Sequence, residues 1–200
     1  MKMLLTSAGF KNPKIGEVFL KLIDKPTSEI KILFIPTASR TDEEFFYVDK
    51  SKKELLDLGI KRGNIYVYNL DKEITDEELN KINAIYVCGG NTFYLLYKIR
   101  ENKFGDKIKG MVRKGIVYVG ASAGSILVSP DIGISGIKDN DIGIKDLAGL
   151  NLTDKIISPH YNAEKEEIVS KFEKETGRKI TRLTDNQALL IEENEFKIIE

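Results

Sequence analysis

Apolar, β-branched runs alternate along this chain with segments whose apolar residues recur at helical spacing, and that alternation admits few architectures. Runs apolar on both faces need helices above and below them. A strand that leads into a helix and back reads as a β-α-β unit, so the pattern implies an α/β fold with a mostly parallel sheet flanked by helices. Strands are expected at 3–7, 31–36, 64–68, 84–88 and 116–120, with a later group at 155–158, 188–191 and 196–199. Between the first two, Ile15, Val18, Phe19, Leu22 and Ile23 follow the spacing of a helix that buries one stripe, and Pro26 marks its end. Asp42 is the expected cap of a helix carrying Phe45, Phe46, Val48, Leu55 and Leu56, closed by Gly59. Thr75 and Glu78 form a capping-box pair before a short helix, and a further helix over 163–175 stops at Gly177.

Composition narrows the class. Two hundred residues with 42% hydrophobic content suit one domain spanning 1–200. Basic and acidic side chains balance at 31 each and neither sign gathers into a run, so the charge footprint of a nucleic-acid or anionic-membrane binder is missing. No stretch approaches the roughly 18 to 20 apolar residues of a membrane span, and the apolar N-terminal segment is too short for a signal peptide; a cytoplasmic location is expected. One cysteine, Cys88, and one histidine, His160, leave no ligands for a Cys cluster or a multi-His metal site, and no cofactor is expected. Cys88 reads as a small buried strand-end residue.

The strongest local signal is Gly120-Ala121-Ser122-Ala123-Gly124, set between a strand and an apolar helix start. A G-x-S-x-G turn pushes its serine outward in a strained conformation, and small flanking residues avoid collision with strand and helix. Serine is a weak nucleophile until a base takes its proton, and His160 is the only imidazole available. It lies just past the strand at 155–158, at the sheet edge where ligands of α/β folds collect. A carboxylate must then orient that imidazole. The segment between serine and histidine offers Asp131, Asp139, Asp141, Asp146 and Asp154, which residue type and position do not rank.

A second turn, Cys88-Gly89-Gly90-Asn91-Thr92-Phe93, follows the strand at 84–88 and opens another helix. Its glycines expose backbone amides suited to one half of an oxyanion hole, with the amide of Ala123 as the other half. It lacks the G-x-G-x-x-G spacing, and neither turn has a P-loop lysine. Residues 129–146 hold three glycines and several acids without helical period, as an excursion over the surface would. Asp-Ile-Gly-Ile occurs there twice, at 131–134 and 141–144, as coincidence or as two short edge strands.

In this order and at these separations, Gly89-Gly90-Asn91-Thr92-Phe93, Gly120-Ala121-Ser122-Ala123-Gly124 and Pro159-His160-Tyr161 resemble peptidase family S51, which contains α-aspartyl dipeptidases and cyanophycinases. Phe34-Ile35-Pro36-Thr37-Ala38 fits the family's second strand. The resemblance implies a sandwich like that of the class I glutamine amidotransferases, with serine in place of their cysteine. It implies Ser122 as nucleophile, His160 as general base, and Gly90 and Ala123 as oxyanion donors. Asn140-Asp141-Ile142 looks like the segment that carries the family's acid, which makes Asp141 the expected third member and Asp139 the runner-up. Asn91 and Thr92 are taken as substrate-binding.

One departure bears on specificity: no arginine follows His160 before Arg178, so a strict preference for N-terminal aspartate is not implied, although Lys165 offers a less directional charge. The expected activity is hydrolysis of small peptides through an acyl-enzyme. The expected partner is a small peptide, with a homodimer allowed for. The alternatives are an esterase or thioesterase sharing the serine turn, although its usual His-Gly-Gly-Gly motif is absent, and a non-catalytic binding module.

Overall fold

Five strands, β1 (Lys2–Thr6), β2 (Ile32–Ile35), β3 (Ile65–Val67), β4 (Ala84–Val87) and β5 (Val117–Ala121), run parallel in the computed structural model, which describes residues 1–136, 142–193 and 195–200. β6 (Ile156–Ser158) and β7 (Ile180–Arg182) form a separate parallel pair. β8 (Ala188–Glu192) pairs antiparallel with β1, and β9 (Glu195–Ile199) pairs antiparallel with β8, giving the order β3-β2-β4-β5-β1-β8-β9.

Strand alternation sorts the apolar side chains into two layers. Met3, Leu5, Leu33, Ile35, Ile85, Val87 and Tyr118 enter one layer, which is filled by α4 (Thr92–Glu101), α5 (Gly105–Arg113) and α6 (Ala123–Leu127) through Phe93, Leu96, Ile99, Ile108 and Ile126. Leu4, Ile32, Phe34, Tyr86 and Val119 enter the other, against Ile15 and Phe19 of α1 (Pro13–Ile23) and Val48 and Leu55 of α2 (Asp42–Asp57). The double-sided burial expected of the inner strands follows directly. β3, at the edge, leaves Tyr66 and Val67 exposed.

Two expectations are corrected here. The cap of α2 is Thr41, not Asp42: the Thr41 hydroxyl accepts from the Glu44 amide while Glu44 accepts from the Thr41 amide, a full capping box that places Asp42 in the first turn. The helix expected over 163–175 begins as a 3₁₀ turn, Ala163–Lys165, capped by Asn162, and continues as α7 (Glu166–Thr176). The capping box of Thr75 and Glu78 opens α3 (Asp76–Leu79) as read from the sequence. In the first Asp-Ile-Gly-Ile copy, Asp131 makes one isolated bridge with Ala148 before a 3₁₀ turn. Among the described residues no helix is long and apolar enough to cross a membrane.

β7 was not legible as a strand, because it has three residues and only Ile180 among them is buried. Its pairing with β6 is secured by ionic contacts as well as by the ladder. Arg182 donates to Glu166 from Nε and Nη2, both at 2.9 Å, and to Glu173 from Nη1 and Nη2, both at 3.0 Å, so the guanidinium clamps α7 onto β7. Hydrogen bonds from Arg182, Ser170 and Tyr161 hold the Glu166 carboxyl down at about 2. A carboxylate whose folded value is depressed contributes stability above its unfolded value and loses it as pH falls through the folded one. The difference in urea midpoint between wild type and Arg182→Met is therefore expected to be full at neutral pH, to shrink below the ordinary carboxylate range and to vanish near pH 2, as followed by circular dichroism.

Candidate active site

The carboxyl ends of the parallel strands converge on one crevice, and three chain turns meet there. The first is the turn between β5 and α6. Ser122 sits at φ 49°, ψ −106°, a conformation that L residues rarely adopt, and it is held because its neighbours leave no alternative. Its amide donates to the Thr6 carbonyl at 3.0 Å, continuing the β1–β5 ladder. The Tyr118 hydroxyl donates to the Gly124 carbonyl at 2.7 Å, and the buried Ser125 hydroxyl lies 2.8 Å from the carbonyls of both Thr6 and Gly120. Gly124 has to be glycine, because a Cβ there would lie 2.3 Å from the Val87 carbonyl oxygen.

The glycine turn after β4 abuts the serine turn; a Cβ on Gly89 would come within 3.3 Å of the Ser122 Cβ. Gly90 adopts φ 128° and packs so tightly on the chain after β2 that a Cβ would fall 2.3 Å from the Ala38 carbonyl oxygen. The amides of Gly90 and Ala123 have no acceptor among the described residues. Ala123 opens α6, where the first amides of a helix have no intrahelical partner.

The third turn follows β6. His160, at φ 52°, turns its ring back toward the serine, and its Nε2 lies 2.9 Å from the Ser122 Oγ. The two groups far apart in the chain thus meet. Its Nδ1 lies 2.6 Å from Oδ1 of Asp185, a residue that the sequence reading did not single out. With Nδ1–H donating to that carboxylate, Nε2 is the acceptor for the serine hydroxyl. Partial burial raises the Asp185 carboxyl, but the hydrogen bond and charge of His160, helped by Ser7 and Lys11, outweigh it and hold the group below the usual carboxylate range. It stays an anion.

Of the acids expected in this role, Asp139 and Asp141 lie outside the described residues. The other three point elsewhere: Asp131 accepts from the Gly133 amide, Asp146 pairs with Arg100 at 3.0 Å, and Asp154 pairs with Lys155 at 3.3 Å. Asp185 lies beyond His160 in the chain, in the turn Thr184-Asp185-Asn186-Gln187 after β7, so the acids between serine and histidine do not include it. β6 and β7 are parallel, so both strands release their chains at the same edge, and Leu183 is tied to the histidine turn in both directions, through its amide to Ser158 and its carbonyl to Tyr161.

Ser7, at the end of β1, was likewise missed. Its buried hydroxyl accepts from the His160 amide at 2.7 Å and donates to Asp185 Oδ1 at 3.2 Å, tying imidazole backbone and carboxylate to the sheet. Asn91 caps α4, its Oδ1 accepting from the Tyr94 amide, and Thr92 lines a cavity of about 240 Å³ with Ile126, Ile134 and Lys165. A larger cavity of about 440 Å³ adjoins it, and both share Gly90, Ser122 and His160. Cys88 is buried, and burial pushes its thiol far up, so it remains protonated beside the serine. Among the described residues no cluster of three or more His, Cys, Asp or Glu side chains is arranged to hold a metal ion.

The profile of peptidase family S51 matches residues 3–199 of this chain. An uncharacterized peptidase of Pasteurella multocida is 32% identical over 209 residues, which cover 100% of this chain and 97% of the relative. A peptidase E of Nostoc is 37% identical over 134 residues, 66% of this chain and 52% of the relative. Among solved structures, a Listeria monocytogenes protein provisionally assigned as a peptidase E superposes with a TM-score of 0.80 at 30% identity, covering 99% of this chain and 97% of that one. A peptidase from an acI-B1 actinobacterium reaches 0.71 at 16% identity, covering 99% and 86%, a likeness of fold.

Removing the Ser7 oxygen leaves the His160 amide without its acceptor inside the protein. Ser7→Ala is expected to lower the unfolding free energy by about 1–3 kcal/mol, read from urea denaturation at neutral pH.

Proposed function

This chain belongs to peptidase family S51 and is a peptidase, and from that premise we propose that it hydrolyses small peptides through an acyl-enzyme formed on Ser122. The observation that carries the proposal is the unbroken array of Ser122 Oγ, His160 Nε2, His160 Nδ1 and Asp185 Oδ1, with contacts of 2.9 and 2.6 Å. His160 takes the proton of the serine as Oγ attacks the scissile carbonyl. The resulting imidazolium is stabilised by the Asp185 anion, and the carbonyl oxygen, now negative, is received by the amides of Gly90 and Ala123. The C–N bond then breaks as His160 returns the proton to the leaving amine. Water, deprotonated by the same imidazole, releases the acyl group and regenerates the hydroxyl.

Asp185 takes the orienting role in this reading. The strained serine backbone supports it too, since a serine held at φ 49° presents its oxygen to the crevice rather than to the helix. The crevice, formed by two adjoining cavities that share the serine, suits a short substrate lying across the nucleophile. Membership in a peptidase family sets this reading above the esterase and binding-module alternatives.

A panel of dipeptides varied at the first residue, followed by mass spectrometry, tests the proposal. Ser122→Ala is expected to abolish cleavage and labelling by a fluorophosphonate while leaving the thermal unfolding profile intact. Asp185→Asn is expected to slow labelling roughly 10²- to 10⁴-fold, because it removes the anion that the imidazolium needs. Cleavage that persists undiminished in Ser122→Ala would refute the mechanism.

A further inference from the structure

The larger cavity has a wall that the mechanism does not use. α2 carries Glu54 to the same space that Ser122, Gly90 and His160 line. Its Oε2 accepts from the Phe10 amide at 2.8 Å, whereas Oε1 has no hydrogen bond and the side chain no ion pair among the described residues. The neighbouring charges are otherwise engaged or out of reach. Lys11 lies 3.6 Å from Asp185, Glu44 receives the amides of Arg40 and Thr41, and Lys50 is exposed and beyond ion-pair distance of Glu54.

A second polar group converges on the same place. The Tyr86 hydroxyl, on a fully buried side chain, has Ser51 as a neighbour but makes no hydrogen bond of ordinary geometry among the described residues. A Cβ built on Gly9 would lie 2.8 Å from Glu54 Oε2 and 3.0 Å from that hydroxyl, so both oxygens face one glycine of the β1–α1 turn. Burial raises the Glu54 carboxyl, and the Phe10 amide and Lys50 do not offset it. If the only task of residue 54 were to accept from Phe10, an uncharged amide would serve without the cost of half-burying a carboxylate. One oxygen of the carboxylate is left without a hydrogen bond among the described residues, on a side chain that lines the same cavity as Ser122.

We propose that Glu54 is a specificity residue that binds a cationic group of the substrate, the free oxygen of its carboxylate taking an ammonium or guanidinium that enters the cavity beside Ser122. This rests on the peptidase reading above and names its substrate class: peptides that carry positive charge near the scissile bond. Two sources share that chemistry, the α-ammonium of a free N-terminus and the side chain of a lysine or arginine.

Four peptides separate them: Lys-Ala, norleucyl-Ala, N-acetyl-Lys-Ala and N-acetyl-norleucyl-Ala, titrated calorimetrically into the Ser122→Ala protein, which cannot turn them over by the proposed route. At least one singly cationic peptide is expected to bind ~10-fold or more tightly than the uncharged one, as a charge-assisted hydrogen bond supplies. Glu54→Gln, which keeps an acceptor for Phe10, is expected to remove that gap. A gap confined to norleucyl-Ala assigns the α-ammonium, and one confined to N-acetyl-Lys-Ala assigns the side chain. Binding without preference for charge, a preference that survives Glu54→Gln in a protein of unchanged melting temperature, or no binding by any cationic peptide overturns the proposal. Hydrolysis of the same peptides by the Ser122 protein is scored separately, so loss of the charge preference with cleavage intact removes this subsite alone, and the preference without cleavage removes the acyl-enzyme mechanism alone.

Discussion

Two three-residue strands pairing in parallel hold the candidate site together. β6 and β7 lie outside the main sheet, yet each delivers one member of the Ser122–His160–Asp185 array within three residues of its end. Parallel register is what matters, because it places the two carboxyl ends at the same height, facing the turn after β5. Strands this short contribute little ladder of their own. The fixing comes from the Arg182 clamp on Glu166 and Glu173 and from Ser7, which reaches from β1 to both the His160 amide and the Asp185 carboxylate. The imidazole is thus positioned from two directions by groups that do no chemistry.

Close packing around Ser122 serves the same end. Backbone strain at Ser122 persists only where surrounding contacts over-determine it, and here the β1–β5 ladder, the Tyr118 hydroxyl and the contact of Gly124 with the Val87 carbonyl do so. The glycine turn at 89–90 is pressed against the serine turn from the neighbouring strand, which leaves two backbone amides without acceptors among the described residues beside a hydroxyl. A site of this kind needs adjacent strand ends, and the order β4-β5-β1 in the sheet supplies them. The crevice continues into a cavity that Glu54 of α2 also lines, so its walls come from both helical layers of the fold.

Much of this was legible in the residues before any coordinates. The double-sided apolar strands, the serine turn and the lone histidine are local patterns, and each corresponds to a local physical requirement: burial period, steric room at a tight turn, or scarcity of a residue type. What could not be read were Asp185 and Ser7. Both belong to ordinary polar turns, and a carboxylate in such a turn looks like any solvated acid until the chain brings it to an imidazole 25 residues away. The cap of α2 was misplaced by one residue for a smaller reason of the same kind, since Thr41 and Asp42 are both good caps and only the backbone angles at Thr41 decide between them.

From its residues alone, then, this chain carries an α/β sheet and a serine on a strand-to-helix turn, because these depend on side chains within a few positions of one another, and its single histidine leaves one imidazole to consider. Which acid completes the array, which hydroxyl steadies it and which carboxylate lines the adjoining cavity were decided by tertiary structure. Those choices depend on the register of β6 against β7 and on the packing of α2 across the β1–α1 turn. Such contacts join residues far apart in sequence, and no spacing along the chain encodes them.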